Sequence, residues 1–76
     1  MKKYEIVSGT HAGEIMTVEK VTNPKGIVDM VQGKLVLITP GMIIFKSVKT
    51  GETVTTGEEK ELDELIERKY LKEVTN

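Results

Sequence analysis

Gly9 and Gly13 stand four apart, between an alternating run that holds Tyr4, Ile6 and Val7 and a second that holds Met16, Val18 and Val21. Glycine takes positive φ without steric cost, so this spacing between two strand-like runs predicts a tight β-hairpin with a bulge. Tyr4 and Ile6 alternate with Lys3 and Glu5, and Met16 and Val18 alternate with Thr17 and Glu19, which assigns one face of each strand to a core and the other to water. The pattern leaves the sides taken by Ile15 and Val21 open. An opening ribbon of this kind commits the remaining chain to a small β architecture.

At 76 residues the chain is expected to be one domain, of a size that hides only about 60% of the surface its extended form exposes. It contains no cysteine. Disulfide staples and thiolate metal sites are therefore excluded, and compactness must come from apolar burial, with self-association as a further source. Neither a basic stub followed by an apolar segment nor a long apolar run is present, so no signal peptide or membrane span is predicted and a cytoplasmic location is the expectation. The net charge of −1 conceals an uneven distribution. Residues 1–50 carry seven lysines against four acids, a net +3, whereas residues 51–76 carry eight acids against four bases, a net −4.

Along the chain, Thr22-Asn23-Pro24-Lys25-Gly26 collects turn formers into a surface loop. Ile27 to Val31 and Lys34 to Ile38 flank Gln32-Gly33, which predicts a second hairpin with a two-residue turn. Pro40-Gly41 fits the two central positions of a type II turn. Met42-Ile43-Ile44-Phe45 is a continuous apolar run of the kind found in a strand covered on both faces, and it is the expected centre of the core. Thr53 to Thr55 follow the Lys49 to Glu52 turn as a brief strand.

From Thr56 the pattern changes. Thr56 with Glu59 reads as a capping box, and Leu62, Leu65, Ile66 and Tyr70 form one apolar stripe with Glu64 and Arg68 paired on the outside. The expected organisation is a mainly β fold, a small, partly open antiparallel barrel over 1–55 with one C-terminal α-helix over 56–70 as its lid, and a tail or last short strand over 71–76. No repeat, linker or low-complexity segment interrupts it.

The spacing from Val7 through Gly9, Gly13 and Val18 to Val21 resembles the KOW motif, the opening hairpin of many SH3-like barrels. The resemblance covers about a quarter of the chain and departs from the family at Met16, where a third glycine is usual. It implies an SH3-like barrel and a non-enzymatic role, because KOW domains are typical of NusG-like transcription factors and some ribosomal proteins, where loops contact RNA or neighbouring proteins. Carried over position by position, it points to Thr10, His11 and Ala12 in the turn and to Lys20 just after it. Asn23 and Lys25 join them on the composition of their loop.

No constellation for chemistry accompanies these residues. His11 is the single histidine, so a metal would need carboxylates or a partner's groups, and no metal or other cofactor is expected. Ser8 or Ser47 would need a base and an orienting acid, and no catalytic residue is assigned. The seven body lysines suit phosphate contacts, but Tyr4, Phe45 and Tyr70 are the only aromatics and fit core positions better than base stacking. The leading expectation is an accessory binding module for a nucleic-acid or ribonucleoprotein machine. The alternative is a protein-interaction or self-assembly module using a barrel edge strand or the acidic helix.

Overall fold

The computed structural model describes residues 2–74, and the final two positions of the expected tail, 75 and 76, lie outside the described residues. Seven strands run in the order β1 (Lys3–Ile6), β2 (Ile15–Lys20), β3 (Ile27–Val31), β4 (Lys34–Ile38), β5 (Met42–Ser47), β6 (Thr53–Glu58) and β7 (Leu71–Val74). A 3₁₀ turn (Glu59–Glu61) and the helix α1 (Leu62–Glu67) lie between β6 and β7. The strands form a five-stranded antiparallel sheet ordered β6-β5-β2-β1-β7 and a separate β3-β4 hairpin.

The fold is mainly β with one short C-terminal helix, as the sequence predicts, but the sheet is not closed into a barrel. β6 pairs only with β5 and β7 only with β1, so these two strands stand at opposite edges, and β3 and β4 pair with each other alone. The helix is also shorter than the predicted span of 56–70. Thr56 and Gly57 stay in β6 opposite Ile44 and Ile43, and the anticipated Thr56 cap makes no hydrogen bond to the helix. Ladder bonds to a buried neighbour outweigh one local cap here, since a side-chain cap contributes about 1 kcal/mol.

β5 is the strand covered on both faces. Ile43 and Phe45 join Met16 and Leu71 in one buried cluster, against which Ile6, Val18, Val54 and the α1 residues Leu62, Leu65 and Ile66 pack. Ile44, which points the opposite way, joins Val21 and Ile38 in a second cluster completed by Val36 and Met42. The alternation of side chains along one strand thus places α1 on one face of the sheet and the hairpin on the other. Tyr70 departs from the predicted stripe: it is half exposed, beyond the end of α1.

Candidate functional site

The β3-β4 hairpin is closed by Gln32 at φ 50 and Gly33 at φ 80. Positive φ at both central positions is the type I′ geometry, whose twist matches that of the flanking strands. The resulting register pairs Val28 with Leu37 and Met30 with Leu35, flanked by Ile27 with Ile38 and Asp29 with Val36. Side chains alternate between faces, so Asp29, Val36 and Ile38 turn toward the large sheet while Val28, Met30, Leu35 and Leu37 share the other side.

The inner face is fastened to β6. The Thr53 hydroxyl donates to Asp29 Oδ2 at 2.6 Å and the Gln32 side-chain amide donates to the Val54 carbonyl at 3.0 Å. Val54 is available because β6 is irregular there: Phe45 lies opposite Thr55 and Lys46 opposite Thr53, which leaves Val54 as the extra residue of a bulge. Asp29 also accepts the Met30 N–H at 2.8 Å. The Thr53 hydroxyl first, then that N–H and the nearby Lys46 charge, hold its carboxyl below the ordinary 3.8 against a small opposing effect of burial.

The outer face is bare. Val28 is 63% exposed, Met30 53%, Leu35 71% and Leu37 58%, and directly paired positions on one face of a ladder touch, so the four form one contiguous surface. It amounts to roughly 400 Å², the scale of the largest apolar patches found on monomeric proteins. Lys34 at the hairpin tip and Lys25 near its base are exposed beyond the two ends of this apolar surface.

The residues singled out from the sequence fall at two separate places. Thr10, His11 and Ala12 lie exposed in the β1-β2 loop, where Ala12 N–H donates to the Gly9 carbonyl at 3.2 Å and His11 Nδ1 stands 3.2 Å from Glu14 Oε2. This loop shares a shallow hollow with Asp29, Gln32, Lys46 and Thr53. Lys20, Asn23 and Lys25 lie at the far end of β2, six residues or about 20 Å of strand away. Lys20 Nζ is 2.9 Å from Glu59 Oε1, and the hydrogen bond and charge of Glu59 raise its ammonium above the ordinary 10.5. Asn23 Oδ1 accepts the Lys25 N–H at 3.0 Å, an Asx turn that shapes the loop.

Ser47 is buried, with its Oγ accepting the Thr50 N–H at 3.4 Å. Among the described residues no group of three or more His, Asp or Glu is placed to hold a metal ion, and no helix is long and apolar enough to cross a membrane. The outer face of the hairpin is the feature that motif reading misses. Its signal was nonetheless present, because the two-residue turn fixes the register and that register leaves positions 28, 30, 35 and 37 without a polar side chain among them. Comparison with family models, curated proteins and solved structures found no match for this chain.

Proposed function

We propose that the chain is a non-enzymatic interaction module that docks onto protein through the outer face of the β3-β4 hairpin. The observation that carries this reading is the set of four adjacent side chains, Val28, Met30, Leu35 and Leu37, each more than half exposed in a domain with few apolar residues to spare. Leaving them in water forgoes about 1.5–3 kcal/mol for each side chain that a partner would cover.

The KOW-like spacing at 7–21 supports a setting in a ribonucleoprotein or transcription machine, and the charge arrangement supports a protein contact there over a phosphate contact. Lys2, Lys20 and Lys46 each have a carboxylate oxygen within 4.0 Å, in Glu73, Glu59 and Glu19. Phosphate binding through these three lysines would compete with those carboxylates. Two of the three aromatics, Tyr4 and Phe45, are buried and unable to stack on bases.

Photo-crosslinking in the host cell tests the reading. A benzophenone amino acid at position 35 is expected to give a protein adduct that is lost with Leu37→Glu, whereas the same group at position 48 gives none. Salt-dependent binding of RNA or DNA by the purified chain, unaffected by Leu35→Glu, would overturn it in favour of a nucleic-acid module.

A further inference from the structure

Resting on the proposed docking surface, we infer that its occupant is a second copy of this chain, giving a two-fold dimer in which the outer faces of two β3-β4 hairpins stack on each other. Three observations carry this. The first is area. Two patches of roughly 400 Å² each bury about 800 Å² between them, the size of a weak, concentration-dependent pairing.

The second is charge. An isologous contact sets one patch against itself, so an excess of one sign of charge inside it repels its copy. None is present: Val28, Met30, Leu35 and Leu37 are uncharged, Asp29 turns to the inner side and bonds Thr53, and Lys34 follows the last apolar pair at the tip. A net charge of −1 adds little long-range repulsion between copies. The third is shape. The face belongs to a two-stranded antiparallel sheet with alternating side chains, and such faces pack on one another with interdigitating residues about 10 Å apart. A hairpin of two strands is marginal alone, and a second one stacked on it would cover the side that its own sheet leaves open.

The test uses the purified full chain. Light scattering and sedimentation across micromolar to millimolar concentration are expected to show a monomer passing to a species of twice the chain mass. Leu35→Glu and Leu37→Glu should each move that transition to concentrations at least about tenfold higher, with circular dichroism unchanged from the parent chain. Independently of those variants, benzophenone at position 35 should give a covalent dimer on irradiation and the same group at Val48, also exposed, should not.

A chain that stays monomeric through millimolar concentration and gives no dimer adduct overturns self-pairing. So does a dimer indifferent to both substitutions. If position 35 then captures a protein of different mass in the host cell, the docking surface stands and only the identity of its occupant falls. If it captures nothing in either setting, both readings fail together.

Discussion

Gly26 sits where the chain enters the second hairpin, at φ +77, and a Cβ there would lie 2.7 Å from the Ile38 carbonyl oxygen. Both the dihedral and the backbone contact oppose any side chain, so Gly26→Ala is expected to destabilise the fold by roughly 1–3 kcal/mol, read as a lower urea midpoint. Asp29 gives a prediction in pH. Its ionised form is favoured in the fold, so the stability it contributes is complete above the unfolded value near 3.8 and is lost as pH falls through the lower folded value. Asp29→Asn should therefore lower stability at pH 7 and make the loss below pH 4 shallower, as measured by urea unfolding at both pH values. Individual residues were unevenly legible. The burial of Tyr4 follows from strand alternation and that of Ile43 and Phe45 from their continuous apolar run, but the pairing of Lys20 with Glu59 joins positions 39 apart that no local pattern connects.

α1 ends in a left-handed residue that is not glycine. Lys69 has φ 65, its N–H reaches the Ile66 carbonyl at 3.1 Å, and the Tyr70 N–H reaches Leu65 at 2.9 Å, the two bonds of a Schellman motif. A side chain in that conformation costs about 1 kcal/mol, so Lys69→Gly is expected to raise stability by up to about 1 kcal/mol without altering the sheet, again read from urea unfolding. Turns were the best predicted elements. Gln32-Gly33 and Pro40-Gly41 both close as their residue types require, with the Met42 N–H on the Thr39 carbonyl at 3.0 Å and Gly41 at φ 95. The start of the helix was the worst. Thr56 and Glu59 match a capping box locally, but Gly57 lies against the Phe45 ring, with its Cβ position 3.4 Å from Cε2, and the strand continues past the signal. Glu64 and Arg68, by contrast, pair as the helical spacing predicts, at 2.8 Å.

Two clusters back to back on β5 give the molecule two layers of unequal strength. The helix-side cluster is built across β1, β2, β5, β6 and β7, whereas the hairpin is held by the smaller cluster around Ile38 and by its two side-chain hydrogen bonds to β6. Native-state hydrogen exchange should therefore show β3 and β4 amides opening at lower free energy than those of β2 and β5. Ile38→Ala, at a fully buried site, should cost about 2–5 kcal/mol and widen that gap. The mainly β class and the two-sided centre were legible because period-two patterns are local. The open sheet was not, because whether β6 and β7 meet is decided by long-range geometry. The extra residue in β6 has a consequence for insertions and deletions. Removing Val54 would restore regular pairing with β5 and leave Thr53 opposite Lys46, but it would take away the carbonyl that Gln32 holds, so a one-codon deletion in β6 would loosen a ribbon more than twenty residues upstream while leaving the ribbon's own sequence intact.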